Sequence, residues 1–149
     1  MTGKPLKSYP FPVPPDMIDI RPAPFHKTHE SMRHCVDFAL PIGTPIRAVA
    51  DGVIVEKESR FSKAYADPSY KNCARTNCVT ILHHDGRSSY YVHLKWRSVR
   101  VKVGQEVRRG QVIALSGDTG YATYPHLHFG LYDEMSRNIP VKFAADPLP

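Results

Sequence analysis

Ser116-Gly-Asp-Thr-Gly120-Tyr-Ala-Thr-Tyr-Pro125-His-Leu-His-Phe129 sets the terms for reading the rest of the chain. A glycine-bearing loop runs into Pro125, and an extended stretch then places two histidines two residues apart. Strand side chains alternate between faces, so His126 and His128 point the same way. Two imidazoles on one face can both reach a metal, or one can bind while the other handles protons. Surface pairs and hydrogen-bonded core pairs show the same spacing, so the decision rests with the remaining sequence.

Upstream of that loop the pattern is one of short strands. Val99, Val101 and Val103 alternate with Arg100 and Lys102, which reads as an amphipathic strand with a solvated basic face. In Tyr90-Tyr-Val-His93-Leu94, His93 shares a strand face with Tyr91, where a hydrogen-bonded core residue is the simplest role for each. Residues 77–83 and 88–94 flank Asp85-Gly86 and read as a hairpin. Residues 59–76 have little apolar pattern and read as one long loop of the functional or mobile kind. Ile46, Ala48 and Ala50 alternate with polar neighbours, and Asp51-Gly52 leads into Val53-Ile-Val-Glu-Lys as a second hairpin signature. Asp37 lies between apolar neighbours in Cys35-Val-Asp37-Phe-Ala-Leu. A buried carboxylate there needs a metal, an arginine or a hydrogen bond. No amphipathic helix exceeds a turn or two, so the fold class is all-β, a sandwich or barrel.

The 149 residues suit one domain with a real core. Seven of the 14 prolines fall in residues 1–24, which form an extended arm without helix or ladder. That arm is either packed along the domain of residues 25–149 or left as a loose tail. A net charge of +6 favours anionic partners. No nucleic-acid motif accompanies the charge, so the charge alone names no partner and nucleic acid is not expected. No apolar run approaches the ~20 residues of a membrane span. The first residues lack the apolar stretch of a signal peptide, so the chain either is not exported by that route or has had its signal removed. Cys73 and Cys78 can close a small loop in an oxidising compartment, leaving Cys35 over. Three reduced thiols in a cytosolic protein fit as well.

The eight histidines cluster at 26, 29 and 34, at 83 and 84, at 93, and at 126 and 128. Together with Val36-Asp37-Phe-Ala-Leu-Pro-Ile-Gly-Thr-Pro, Val79-Thr-Ile-Leu-His83-His-Asp-Gly, Tyr91-Val-His93-Leu, Val101-Lys-Val-Gly-Gln-Glu-Val-Arg-Arg-Gly-Gln-Val-Ile and the Ser116–Phe129 stretch, they make residues 25–133 resemble the LytM/lysostaphin-type zinc endopeptidases, which cut the peptide part of peptidoglycan. The resemblance implies a compact two-sheet barrel-sandwich fold, acting as a monomer on peptidoglycan peptides at the cell envelope or outside the cell. It also implies one Zn²⁺ held by an upstream His, by Asp37 and by His128, with His126 and His93 as the catalytic histidines that do not bind metal. Many relatives place the first ligand four residues before the Asp, where this chain has Arg33. A longer form of the loop puts His29 there, with His34 second and His26 third. Strand alternation sets His34 against Asp37 unless the chain bends. Cys35 shares the face of Asp37, where a small packing residue is expected rather than a metal-bound thiolate. His83 and His84 are read as structural or surface residues.

Two His and one Asp leave a tetrahedral zinc one open position, as a catalytic site requires. No His-Glu-x-x-His helix supplies a glutamate base, so His126 or His93 would move the proton. Two rivals remain at this stage. One is a LytM-like domain that has lost catalysis and serves as a binding or regulatory module. The other is a lipoyl- or biotinyl-type carrier, which shares the Val-x-x-Gly repeat but leaves the histidines unexplained.

Overall fold

Five segments in which β-branched or aromatic residues alternate with others make the body of one antiparallel sheet. In the computed structural model, which describes residues 8–144, the elements run in chain order. They are β1 (Ile20–Arg21), α1 (Pro24–Lys27), β2 (Val36–Ala39), β3 (Pro45–Arg47), β4 (Gly52–Glu58), β5 (Ala64–Tyr65), α2 (Tyr70–Cys73), β6 (Cys78–His83), β7 (Ser88–Val92), β8 (Glu106–Val107), β9 (Val112–Leu115), β10 (Gly120–Tyr121), β11 (His126–Tyr132) and β12 (Asn138–Ile139). The main sheet has the order β1-β2-β11-β7-β6-β4-β8, with β12 also paired to β11. β3 pairs with β9 as a second layer, and β5 pairs with β10 in a small parallel ladder. The fold is all-β, as the sequence implies.

Register decides which face carries chemistry. Leu127 lies opposite Phe38 and His128 opposite Asp37 across β2–β11. Phe38, Leu127 and Phe129 are therefore fully buried toward the core, where Ile46 and Ile113 of the second layer meet them. Each such side chain contributes roughly 1.5–3 kcal/mol of transfer free energy. Asp37, His126 and His128 are left on the other face, as alternation demands.

Several local expectations give way. Asp51-Gly52 does not close a hairpin, because β3 joins β9 while β4 joins β6 and β8. Gly52 serves close approach instead: a Cβ there would lie 2.4 Å from the Leu82 carbonyl oxygen. Residues 99–103 form no strand. Val101 is buried, but Val103 is 61% exposed, because the chain turns at Val103 and Gly104. The 59–76 segment is not structureless, since it contains β5 and α2. The arm packs into the domain, with Tyr9 and Val13 in the core and Phe11 stacked on Phe143 at 4.8 Å. It also makes a ladder, β1 against β2, because residues 16–21 are free of proline and retain their N–H donors. Residues 1–7 of the arm lie outside the described residues. Cys35, Cys73 and Cys78 are all free thiols. Among the described residues no helix is long and apolar enough to cross a membrane.

His83 is buried and His84 exposed. His83 Nδ1 donates to the Asp51 carbonyl at 2.8 Å, and its Nε2 lies 2.8 Å from Ser89 Oγ, which in turn contacts the buried Tyr91 hydroxyl at 2.8 Å. Tyr91 is thus a core residue that also accepts from the Val49 N–H at 3.0 Å.

Two predictions follow from this packing. Gly52→Ala, meeting backbone that cannot retreat, is expected to lose about 2 kcal/mol or more in urea unfolding. Burial pushes the His83 pKa down. A depressed folded-state value gives stability that is present above histidine's ordinary ~6.5 and lost as pH falls below it. Between pH 7 and pH 5, His83→Gln should therefore show a smaller fall in unfolding midpoint than the parent.

Candidate metal centre and active site

Three side chains from three separate elements converge on one point. His26 comes from the single turn of α1, Asp37 from β2 and His128 from β11. His26 Nε2 lies 3.3 Å from Asp37 Oδ1, His128 Nδ1 lies 3.3 Å from the same oxygen, and the two nitrogens are 3.1 Å apart. All three residues are buried. Ligand atoms on a tetrahedral centre with bonds of about 2.0–2.1 Å sit roughly 3.3 Å from each other, so the triangle has the dimensions of three corners of a zinc site. The donor set is of the right kind as well, two imidazoles and one carboxylate. Asp37 Oδ1 is fully shielded and makes no hydrogen bond of acceptable geometry. A buried carboxylate oxygen without a partner is what a bound cation would resolve. Burial alone would raise the Asp37 pKa, but His128 and His26 outweigh it and hold the carboxyl well below the usual range. Burial likewise works against a charged His26, and the Asp37 contact overrides it, moving His26 upward.

The histidines around this triangle share a wiring pattern. His26 Nδ1 donates to the Cys35 carbonyl at 3.2 Å, His93 Nδ1 to Thr119 O at 2.6 Å, and His126 Nδ1 to Tyr124 O at 2.8 Å. A carbonyl can only accept, so each bond fixes the ring proton on Nδ1 and leaves Nε2 as a lone pair. His126 Nε2 lies 3.6 Å from Asp37 Oδ2. The His93 ring lies 4.6 Å from that of His126 and 6.0 Å from that of His128. Burial, reinforced by repulsion from His126 and His128, pushes His93 down to about 3, so it is a neutral base at physiological pH.

His93 does not share the face of Tyr91, as ideal alternation would require. Strand β7 ends at Val92, and His93 takes φ +67°, which swings its ring out of the core and into the site. A non-glycine residue in this region is strained and must be held by its surroundings. Thr76 Oγ1 accepts the His93 N–H at 3.1 Å, and Asn77 O accepts the Leu94 N–H at 3.0 Å. Asn77 Nδ2 and Thr119 Oγ1 both donate to Leu94 O, at 3.1 and 2.8 Å. Asn77 Nδ2 also donates to Phe61 O at 2.7 Å, tying in the 59–63 segment. Gly120, at φ +85°, lets the loop lie on Thr76, where a Cβ would come within 2.7 Å of the Thr76 Cβ. Sequence reasoning missed Thr76, Asn77 and Thr119 as supports of His93. The only available signal was a polar Thr-Asn pair at the start of an apolar strand.

The histidine that the structure brings to Asp37 and His128 is His26, not His29. His29 is exposed; its Nδ1 lies against Thr28 Oγ1 at 2.9 Å and Phe25 O at 3.1 Å, and its ring packs on Phe25 at 4.4 Å. The reason is local. His26 sits inside the α1 turn begun by Pro24, facing the sheet, whereas His29 follows the turn in an extended conformation and points outward. His34 and Arg33 are exposed too. Cys35 stays outside the triangle. Its sulfur lies 3.5 Å from the Tyr132 hydroxyl, and burial pushes the thiol up to about 11, so it is a protonated packing group rather than a thiolate. The site opens into a cavity of about 360 Å³ walled by Pro22, Phe25, Tyr90, Tyr121, Tyr124 and other residues of the arm and the β10–β11 loop. Cys73 and Thr76 bring the 59–76 segment to its edge.

Residues 31–140 match the family described as Peptidase family M23. The chain belongs to that peptidase family. It is 38% identical over 115 residues to the glycyl-glycine endopeptidase ALE-1 of Staphylococcus capitis, covering 76% of this chain and 27% of that protein. It is 40% identical over 111 residues to the peptidoglycan DD-endopeptidase ShyA of Vibrio cholerae, covering 70% and 23%. Among solved structures, a zinc-containing peptidase from Vibrio cholerae superposes with a TM-score of 0.64 at 30% identity, covering 89% of this chain and 39% of that one. The chain thus spans about a quarter of the length of these two curated relatives. His26 lies upstream of the family match, while Asp37, His93, His126 and His128 fall within it.

Asn77→Ala removes side-chain partners from Phe61 and Leu94 at a fully buried position. It is expected to destabilise by about 3 kcal/mol in chemical denaturation. It should also weaken or abolish a downfield, slowly exchanging His93 Nδ1–H proton signal while the other ring signals persist.

Proposed function

We propose that the chain is a zinc-dependent endopeptidase that hydrolyses peptide bonds in peptidoglycan stem peptides or cross-links. Residues 25–149 carry the catalytic unit, and residues 8–24 of the arm pack against it. The observation that carries the reading is the buried Asp37 Oδ1, without a hydrogen bond, at the apex of a triangle with edges of 3.1–3.3 Å to His26 Nε2 and His128 Nδ1. His26, Asp37 and His128 would hold the metal, with His26 in the place first assigned to His29. When bound, zinc would supply a Lewis acid and bring a water's pKa to about 7.

The remaining steps belong to the protein. His93 and His126 each present an Nε2 lone pair beside the triangle, with the Nδ1 proton committed to a carbonyl. Either can take a proton from the attacking water and, once protonated, donate it to the leaving amine or hydrogen-bond the developing oxyanion. The carbonyl on the far side of each ring stabilises the transient imidazolium. His93 is held by its strained turn, and His126 Nε2 lies 3.6 Å from Asp37 Oδ2. The peptide would lie in the cavity between the arm, β10 and the loop ahead of β11. All donors come from one chain, which fits a monomer. The similarity to a glycyl-glycine endopeptidase and a peptidoglycan DD-endopeptidase supports work at the cell envelope or outside the cell, where a net charge of +6 would favour approach to an anionic wall.

The test is metal content with activity. Protein purified without added metal should carry about one zinc per chain. His128→Ala and His26→Ala should lose it together with cleavage of wall fragments, whereas His29→Ala should keep both. Zinc retained in His26→Ala and lost in His29→Ala would return the first ligand to His29. Absence of zinc even after its addition would reject the enzyme reading in favour of a binding module.

A further inference from the structure

Of the three proposed metal donors, Asp37 and His128 sit on paired strands and His26 does not. The segment around His26 is held largely by itself. The N–H groups of His26, Thr28, His29, Met32, Arg33 and Cys35 each bond to the carbonyl three residues earlier. All of residues 27–34 except Met32 are exposed, so little apolar burial fixes their path over the sheet. Two side chains from the distal end of the sheet reach this segment. The Tyr132 hydroxyl donates to Ser31 O at 2.8 Å, and Asn138 Oδ1 accepts the His34 N–H at 2.6 Å. Tyr132 on β11 lies directly opposite Asn138 on β12, so both stand on one face of the ladder. Tyr132 follows His128 by four residues in the same strand, an even step, so that face is the one His128 occupies. The Asn138 amide is oriented by a second bond, from Nδ2 to Leu131 O at 3.1 Å, which leaves Oδ1 as the acceptor. Cys35 Sγ lies 3.5 Å from the Tyr132 hydroxyl oxygen, whose own proton goes to Ser31 O, so the thiol is the donor there. Strand β11 makes room for that contact with Gly130, where a Cβ would come within 2.7 Å of Cys35 Sγ and 2.9 Å of the Tyr132 ring.

We propose that Tyr132 and Asn138 are positioning residues for His26: as a cross-strand pair they hold residues 31–35 so that His26 Nε2 stands where a metal shared with Asp37 and His128 needs it. This rests on the metal-centre reading given above. Both residues bond to backbone groups of the segment, so they set the path of the chain rather than the pose of one side chain. The groups they hold lie between His26 and β2 and end at Cys35, whose carbonyl fixes His26 Nδ1. His128 and Tyr132 share strand β11, so one rigid element carries a donor and also anchors the segment that bears another. Neither Tyr132 nor Asn138 lines the cavity, so their influence on the site runs through His26 and not through a bound peptide. Groups standing behind a metal donor orient it and tune its affinity, and this pair does so through the main chain.

Zinc affinity of the folded full chain tests this, read by titrating the zinc-loaded protein with a competing chelator at a temperature well below unfolding. Tyr132→Phe removes one hydroxyl and Asn138→Ala one acceptor. Each is expected to weaken zinc binding by roughly tenfold. Gly52→Ala serves as the stability control, since it acts in β4, which pairs with β6 and β8. It should bind zinc as the parent does, because a lower folding stability leaves the affinity of the folded form unchanged. Parent-like affinity in either variant removes that residue from the role, and parent-like affinity in both overturns the proposal. An equal loss in Gly52→Ala overturns it too, because the effect would then be general loosening. Should Asn138→Ala fail to fold, Tyr132→Phe alone decides. His26→Ala separates the two readings. If it binds zinc as tightly as the parent, the metal-centre assignment fails. If it loses zinc while Tyr132→Phe and Asn138→Ala do not, only the positioning role fails.

Discussion

Everything at the site depends on a buried carboxylate that has only imidazoles for company. Asp37 sits on β2 directly opposite His128 on β11, a pairing imposed by the same register that sends Phe38 and Leu127 into the core. Among the described residues the ion pairs found for it are with His26, His126 and His128; Arg21, its partner across the β1–β2 ladder, pairs with Asp19 instead. Taking a carboxylate out of water without a cation costs several kcal/mol. The local shifts express that demand, with Asp37 driven toward its charged form and His26 toward its own. A divalent cation at the centre of the triangle would satisfy the same demand more fully, and would do so while the histidines stay neutral.

The second constraint is the direction of the ring nitrogens. Donating Nδ1 protons to backbone carbonyls turns His26, His93 and His126 the same way, with Nε2 inward. These acceptors lie in irregular segments beside strands, where carbonyls are not used up by ladder bonds. The irregularity at His93 therefore decides that its ring lines the cavity. An ordinary strand would carry its ring into the core beside Tyr91. The positive φ redirects it, and Thr76, Asn77 and Thr119 hold that conformation through bonds to His93 and Leu94. The cost of strain at one residue is offset by a network in which Asn77 is wholly buried and fully bonded.

What could be read from the sequence was whatever depends on alternation within a strand. The all-β class, the shared face of His126 and His128, and the inward Asp37 all rest on a period of two, which a single chain displays openly. The failures occur where alternation stops. The face of His93 depends on a single dihedral that no pattern announces. Asp51-Gly52 looked like a turn because glycine tolerates turns, yet the residue answers to the carbonyl of Leu82, a neighbour 30 positions away in sequence. Val103 followed two valines in good alternation and is nonetheless exposed, since the chain bends before the pattern finishes.

The histidine that completes the triangle shows why a site can be partly legible and partly not. Asp37 and His128 are fixed to each other by strand register, so their relation in sequence is rigid. The third donor enters from outside the sheet, above β2, and only the position of its Nε2 is constrained. Any sequence distance will serve if the intervening chain folds back over Asp37. Here residues 24–35 do so with a proline-started helical turn, a short 3-10 turn at Glu30–Met32 and a return along the sheet face. Of the histidines at 26, 29 and 34, the one selected is the one whose Nδ1 meets the Cys35 carbonyl while its Nε2 meets Asp37. Spacing to the aspartate could rank the three only by analogy, because the criterion is a pair of simultaneous contacts.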